Sequence, residues 1–259
     1  ITSPFRRGIS LGHTNSAEVL EIATIFHEMG YRVDAVHYDE QGRIDYGEYS
    51  VIIGFGDPLV RGFYGREGDI TTIYYGTGMH VHHQNTASLK RIEEVYGKRG
   101  VWLPESGRIV EKTYSVQTTL VDAMILLGND AVLDSYRSHF SRRIFTIAAS
   151  FFKVAEAEDI LHKKIFSEAR KHFCWFGGHG LVHKGLDLVL EAFRDLPDYQ
   201  LHVCGPIERE PRFAECFKEE LYQTNNIGTH GFVPLDSPLF LEIMSRCAFV
   251  IFPSCSEGA

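Results

Sequence analysis

The chain has 259 residues and a formal net charge of -8, and 44% of its residues are hydrophobic while 23% are charged. These proportions are ordinary for a folded globular protein, and the acidic balance argues against nucleic-acid binding, which usually requires a basic face. No run reaches the ~18 consecutive apolar residues of a membrane span, and the cysteines include no C-x-x-C pair that would favour a zinc ribbon. Composition therefore predicts a folded cytoplasmic protein with room for two unequal lobes.

Helical and strand patterns alternate through the first half of the chain. Apolar residues from Val19 to Phe26 recur at helical spacing, with Asn15 as the predicted cap and Gly30 as the stop. A strand over residues 32–37 follows. Further short apolar runs predict strands at residues 51–56, 71–78, 123–128 and 143–148.

A less hydrophobic stretch, residues 153–170, separates a second alternating series. Strands are predicted at residues 172–178, 200–206, 226–233 and 248–254, with helices at 186–193, 213–222 and 239–246. Such alternation predicts an α/β fold with parallel sheets. We therefore predict two Rossmann-like lobes, residues 1–160 and 161–259, with the second lobe incomplete at four strands.

A glycine-rich turn between a strand and an amphipathic helix carries the clearest chemistry. Gly178 and Gly180 let backbone N–H groups approach an anion, and the helix start adds a partial positive charge. Lys184 adds a full cation, so the turn suits a diphosphate. His183 stands where the dinucleotide pattern needs glycine, and Gly185 stands where the Walker pattern needs serine or threonine. An ordinary tight turn with a solvated lysine remains the alternative.

Several motifs in this half occur in a characteristic order. K-G opens the helix, L-x-V-x-G-P follows, then N-I-x-x-x-G-F-V, then F-V-I-F-P-S-x-x-E-G. From Trp175 to Ala259 this order resembles the donor domain of retaining GT-B glycosyltransferases of the group 1, family 4 class. The resemblance implies a hexosyltransferase of polysaccharide biosynthesis that uses a nucleoside-diphosphate sugar, needs no cofactor or catalytic metal, and acts on a saccharide or lipid-linked saccharide.

The resemblance also assigns roles to individual residues. Lys184 matches the lysine that contacts the donor diphosphate and is the catalytic candidate of this lobe. His179 stands where the family commonly has arginine, and imidazole lacks the bidentate fork of that side chain. Gly178, Gly180 and Gly205 belong to the implied donor-binding region.

Glu257 matches the first carboxylate of the family's E-x7-E signature, whose second member would lie beyond Ala259. We therefore expect the 259-residue chain alone to be inactive. Two other functions stay open: a non-catalytic nucleotide-binding or interaction module, and a GT-B-like nucleotide-sugar epimerase.

In the first lobe, His80 resembles the acceptor-lobe histidine near the transferred sugar and is the second catalytic candidate. His82 and His83 compete with it, and the compact spacing of the three histidines also permits a metal interpretation, although no carboxylate or cysteine completes a set. Gly12 lies at the first βα turn, where similar enzymes bring amides near the donor. A tight turn capped by Asn15 is the alternative.

Four basic residues lie along one predicted helix: Lys90, Arg91, Lys98 and Arg99. They could contact anionic lipid head groups, which would place the protein at the inner membrane face. A solvated helix face is the alternative.

Overall fold

The computed structural model describes residues 14–65, 69–112, 114–152 and 157–258, apart from the side chains of residues 157 and 163. Its contacts divide the chain into two compact units. The first comprises Ile1–His83, Glu111–Phe152 and Glu257–Ala259, and the second comprises Gln84–Val110 and Lys153–Ser256. Residues 84–110, which precede the predicted boundary near residue 160, thus group with the second unit.

Helices and strands alternate along both units. In chain order they are α1 (Asn15–Glu28), β1 (Val51–Gly54), α2 (Asp57–Gly65), β2 (Thr71–Gly76), α3 (Val81–Arg99), α4 (Ser115–Leu120), β3 (Ala123–Leu127), α5 (Asp130–Arg137), β4 (Arg143–Ile147), α6 (Ala157–Lys163), α7 (Phe166–Ala169), β5 (His172–Phe176), α8 (Leu186–Arg194), β6 (Gln200–Cys204), α9 (Pro211–Cys216), α10 (Lys218–Gln223), β7 (Ile227–Gly231), α11 (Pro238–Arg246) and β8 (Phe249–Val250). Short 3-10 turns lie at Tyr46–Glu48, Pro104–Ser106 and Ile207–Arg209.

The first unit contains a parallel four-stranded sheet in the order β1-β2-β3-β4. All four strands were predicted from apolar runs, the pattern typical of buried parallel strands, although β4 is largely exposed. Met124 and Leu126 of β3 are fully buried and pack with Leu59 and Tyr136 from the flanking helices.

Two details of the first unit differ from the sequence predictions. Residues 32–37 belong to neither sheet, so the predicted strand is wrong; residues 32–36 line a cavity of about 350 Å³ together with α1 and β1. Thr14, not Asn15, precedes α1, and no side chain caps that helix. Gly30, with φ of 90°, follows the end of α1 as predicted.

The second unit contains a parallel sheet in the order β7-β6-β5-β8. The chain steps from β5 to β6 to β7 in one direction, and β8 then pairs on the other side of β5. The carboxyl ends of β5 and β8 therefore form a topological switch point, the place where open α/β sheets bind ligands. The predicted α/β architecture with parallel, Rossmann-like sheets is confirmed.

Amphipathic helices cover both faces of the second sheet. In α8, Leu186, Val189, Leu190 and Phe193 are all buried, which confirms the predicted apolar stripe. The other face carries Cys174, Cys204 and Ile243 of α11 in a smaller cluster.

The single helix predicted over residues 213–222 is broken at Phe217, whose φ of -115° and ψ of 27° lie outside the helical region. Phe217 is fully buried, its ring stacks on Phe213 with centroids 4.6 Å apart, and the Arg99 guanidinium lies 4.5 Å above it. Burial of this ring favours a bend over an unbroken helix, because each buried aromatic side chain contributes roughly 1.5–3 kcal/mol.

Three imidazoles form a row across the second sheet. His172 Nδ1 lies 3.2 Å from His202 Nε2, and His202 Nδ1 lies 3.1 Å from His230 Nε2. Burial, followed by the neighbouring His230 and His172, lowers the pKa of His202 to about 4. The central ring is therefore neutral near pH 7 and can join both neighbours.

Ion pairs attach α3 to the helices of the second unit. Arg91 pairs with the buried Asp187, and Arg99 Nη2 lies 2.7 Å from Glu220 Oε1. Lys98 Nζ lies 2.7 Å from Glu191 Oε2. Among the basic residues considered for lipid contact, these three thus hold α3 in place, whereas Lys90 is exposed.

Membrane contact through this helix stays a prediction. Over the described ranges, no helix is both long enough and apolar enough to span a membrane.

Candidate anion-binding site

Two chain segments meet at the switch point of the second sheet. The glycine-rich turn follows β5, and the segment 251–256 follows β8. The Cys255 N–H donates a hydrogen bond of 2.9 Å to the His183 carbonyl oxygen. A Cβ atom on Gly185 would lie 2.3 Å from the Pro253 carbonyl oxygen. The two segments are therefore in direct backbone contact, at the edge where parallel α/β sheets bind ligands.

Most amides in the second half of the turn are used internally. The Lys184 N–H donates to the Gly180 carbonyl at 2.8 Å, and the Gly185 N–H donates to the Val182 carbonyl at 3.0 Å. Gly180 and Gly185 have φ of 88° and 69°, a region that favours glycine. The turn is consequently a fixed structure that places Lys184 at the start of α8.

The buried carboxylate of Glu210 accepts hydrogen bonds from the first half of the turn. Its Oε1 accepts from the Gly180 N–H at 2.7 Å, and its Oε2 accepts from the Leu181 N–H at 3.2 Å. His179 Nδ1 lies 2.9 Å from Oε1. These two amides thus already hold an anion that belongs to the chain. A phosphate at this turn would use the Gly178 and His179 amides and the Lys184 ammonium.

Lys184 is enclosed by both segments and is only 8% exposed. Its Nζ lies 4.9 Å from the centroid of the Phe252 ring, within the range of a cation–π interaction. The indole Nε1 of Trp175 donates to the Lys184 carbonyl at 3.2 Å. The predicted cation therefore stands at the switch point.

Gly205 allows a close backbone approach beside the turn. A Cβ atom there would lie 2.8 Å from the Gly177 carbonyl oxygen and 2.7 Å from the Trp175 ring. Gly178 differs, because a Cβ atom there would meet no atom within 4 Å.

Gly185 and Gly178 should differ in how much an added Cβ atom destabilises the fold. We expect Gly185→Ala to lower the free energy of unfolding by about 2 kcal/mol or more, because alanine is strained at positive φ and its Cβ meets Pro253. Gly178→Ala is the matched control, and we expect a change within about 0.5 kcal/mol. Urea denaturation of both variants measures the difference. Equal effects would show that the turn does not depend on the Gly185 conformation.

Two other residues of the predicted donor site, Glu257 and Gly12, are not located beside Lys184 by the described part of the structure. Glu257 is half-buried and groups with the first unit, and Gly12 lies outside the described residues. Their donor-binding roles stay predictions.

His80, the predicted acceptor-side histidine, is buried in the first unit. Its Nδ1 accepts from the His82 N–H at 3.3 Å, so its Nε2 carries the proton and donates to Thr118 Oγ1 at 3.2 Å. The Thr118 hydroxyl donates in turn to the Tyr114 carbonyl at 2.8 Å. The ring stacks on His139 with centroids 4.2 Å apart. His80 is therefore held as a neutral imidazole with both nitrogens engaged.

His82 and His83 are exposed on the first turn of α3. In the part of the chain that the structure describes, no group of three histidine, cysteine, aspartate or glutamate side chains is arranged to hold a metal ion.

The environment of His80 predicts a pH-dependent stability. Burial, then the neighbouring His139 and His82, lowers the pKa of His80 to about 4, below the ~6.5 of an exposed histidine. Between these values the unfolded chain binds a proton that the folded chain does not, so this contribution is complete above about pH 6.5 and is lost as pH falls towards 4. We expect His80→Gln to reduce the fall in unfolding free energy between pH 7 and pH 5, and the exposed His83→Gln, which is not among the groups that shift the His80 pKa, to leave it unchanged. An identical fall in the wild type and His80→Gln would contradict the assignment.

Sequence reasoning missed Glu210 and Ser88 in this region. Glu210 follows an ordinary strand and turn, and nothing local indicates that its carboxylate returns to amides 30 residues earlier. Ser88 lies on a polar helix, yet its Oγ is 2.6 Å from His183 Nδ1. Both contacts depend on tertiary packing, which no local pattern reports.

No model of a known protein family matches this chain, and no curated protein matches it either.

Proposed function

We propose that this chain carries the donor-binding site of a GT-B glycosyltransferase, which moves a sugar from a nucleoside-diphosphate sugar to a saccharide or lipid-linked saccharide with retention. The observation that carries the proposal is the position of Lys184. Its ammonium lies beside Phe252, where the glycine-rich turn after β5 meets the segment after β8. A cation and exposed turn amides at a switch point suit the diphosphate of such a donor.

The proposed chemistry places the developing charge at the leaving diphosphate. When the bond between the sugar and the diphosphate breaks, negative charge grows on the phosphate oxygens, and a fixed cation stabilises that charge more than it stabilises the resting substrate. Lys184 supplies the cation. Glu210 already accepts hydrogen bonds from the amides of Gly180 and Leu181. The further hydrogen bonds to the phosphate would therefore come from the amides of Gly178 and His179.

Glu210 also limits where the donor can bind. A second anion cannot share the two amides that this carboxylate occupies, since two like charges at hydrogen-bond distance repel strongly in a buried site. The diphosphate would therefore bind on the outer side of the turn. The proposed acceptor role of His80 rests on the resemblance alone.

A specific observation favours one alternative function. A glycine-rich turn whose amides already hold an internal carboxylate could be a purely structural turn, as in a non-catalytic interaction module. In that case the Glu210 contacts stabilise the fold and no nucleotide binds.

Incubation of the protein with radiolabelled UDP- and GDP-sugars and candidate saccharide acceptors tests the proposal. Label transferred to an acceptor supports the transferase. Nucleotide binding without turnover indicates the module, and interconversion of the nucleotide sugar without acceptor indicates the epimerase. Absence of any nucleotide binding by the protein would overturn the proposed site.

A further inference from the structure

Three side chains meet within the second unit, beside the glycine-rich turn. His183 Nδ1 lies 2.6 Å from Ser88 Oγ and 3.5 Å from Cys255 Sγ. Ser88 Oγ and Cys255 Sγ are 4.0 Å apart. The cluster thus joins a nucleophile, an imidazole and a hydroxyl that come from three separate parts of the chain.

Ser88 Oγ and Cys255 Sγ both contact His183 Nδ1, and these two contacts bear on whether that nitrogen carries a proton. A lone pair on Nδ1 accepts one hydrogen bond, whereas an N–H at the same nitrogen can be shared between two acceptors. An Nδ1–H shared by Ser88 Oγ and a deprotonated Cys255 Sγ therefore satisfies both contacts at once. A thiol reacts as its thiolate, and an adjacent imidazole is the base that takes the proton.

Cys255 is also partly exposed, which distinguishes it from three of the other four cysteines. Cys174, Cys204 and Cys247 are buried, and burial raises the pKa of Cys247 to about 12. Cys216 is partly exposed like Cys255, but burial raises its pKa, and the carboxylates of Glu220, Asp187 and Glu191 act in the same direction, against Arg99. Cys216 therefore provides a matched comparison.

From this geometry we infer that Cys255 is a modification site for small disulfides such as oxidised glutathione. The Cys255 sulfur attacks one sulfur of the disulfide, a new S–S bond forms, and the old S–S bond breaks. The other half leaves as a thiolate, and the proton that Cys255 gave to His183 Nδ1 passes to that thiolate, so that one thiol is consumed and one is released. No other oxidant is needed, because the attacking disulfide is itself reduced.

The modification has a consequence for the neighbouring site. The Cys255 backbone is bonded to the glycine-rich turn at His183, so a group attached to Sγ occupies space beside Lys184 and its turn. Modified protein would therefore bind nucleotide more weakly. This consequence rests on the proposed function, whereas the reactivity of the thiol does not.

Mass spectrometry of peptides after timed exposure to oxidised glutathione, and separately to iodoacetamide, tests the reactivity without any nucleotide. We expect Cys255 to react at least about 10-fold faster than Cys216 at pH 7, because thiolate content controls the rate. We also expect its alkylation rate at pH 6.5 to stay within about threefold of its rate at pH 8.5, while the rate of Cys216 rises steeply. Equal rates for the two thiols, or an equally steep rise for both, would overturn the inference.

Two variants test the role of the imidazole. His183→Gln keeps a hydrogen-bonding side chain without the base, and it should slow Cys255 to the rate of Cys216. Ser88→Ala keeps the imidazole, and it should leave Cys255 faster than Cys216. His183 is fully buried; if His183→Gln does not fold, the pH profile of the wild-type thiol decides the question.

A separate experiment tests the link to the donor site. Protection of Cys255 from iodoacetamide by UDP or GDP supports both proposals. Fast reaction of Cys255 without protection by either nucleotide would keep the reactive thiol and contradict the donor site beside it.

Discussion

Under the proposed transferase function, replacing Lys184 with alanine is expected to lower glycosyl transfer by roughly 10²–10³-fold, equivalent to about 2.7–4 kcal/mol of transition-state stabilisation. In the proposed mechanism the ammonium acts most strongly when the departing diphosphate gains charge. Nucleotide binding, measured by calorimetry, should weaken by less than about 10-fold, because the resting diphosphate carries less charge at the bond that breaks.

Lys218→Ala is the matched control for this experiment. Lys218 lies in the same unit and its side chain is 55% exposed, with Glu215 as its ion-pair partner at 3.5 Å. Its removal should leave turnover and Tm unchanged. A Lys184→Ala protein that folds and transfers sugar at the wild-type rate would remove Lys184 from the mechanism.

Glu210→Ala is expected to lower the free energy of unfolding by about 3–5 kcal/mol, because it leaves two buried amides without an acceptor. The amides concerned are those of Gly180 and Leu181, which bond the carboxylate at 2.7 and 3.2 Å. Glu210→Gln keeps one carbonyl oxygen as acceptor and should cost less. Chemical denaturation of the wild type, Glu210→Ala and Glu210→Gln measures their free energies of unfolding.

The neighbouring Glu208 provides the control, because it is exposed two residues earlier in the same loop. Glu208→Ala should change stability by no more than about 0.5 kcal/mol. If Glu210→Ala were equally mild, water or another group would have to satisfy the two amides, and the carboxylate would not fix the turn.

Most strands of the two sheets could be predicted because they are short, largely apolar runs bounded by polar or glycine residues; β7, with the sequence Ile-Gly-Thr-His-Gly, is the exception. The helix α8 was predictable for a similar reason, since its buried positions repeat with helical spacing. In both cases the information is local. The strand predicted over residues 32–37 also relied on the local sequence, and it is wrong, because a strand exists only where a neighbouring strand pairs with it through hydrogen bonds.

Sequence reasoning could group candidate residues that lie within one segment, but not residues that meet only between segments. Lys184 and the glycine-rich turn follow each other in the sequence, so their spacing alone indicated an anion site. Glu210, Ser88 and Cys255 reach the turn from distant parts of the chain. Only the packing of the second unit brings them together, and with Glu210 it also changes which amides a phosphate could use.

The pairing of β8 has a consequence for local opening of the second unit. In the described part of its sheet, β8 pairs with β5 through two residue pairs, Phe173 with Phe249 and Cys174 with Val250, and the Ile251 N–H adds one further bond to the Cys174 carbonyl. Such a short edge strand can open without unfolding the rest of the sheet. Its amides should therefore exchange with deuterium earlier than those of β5 and β6. A nucleotide that binds the segment after β8 would slow this exchange, so deuterium uptake at residues 249–256 would report occupancy of the site.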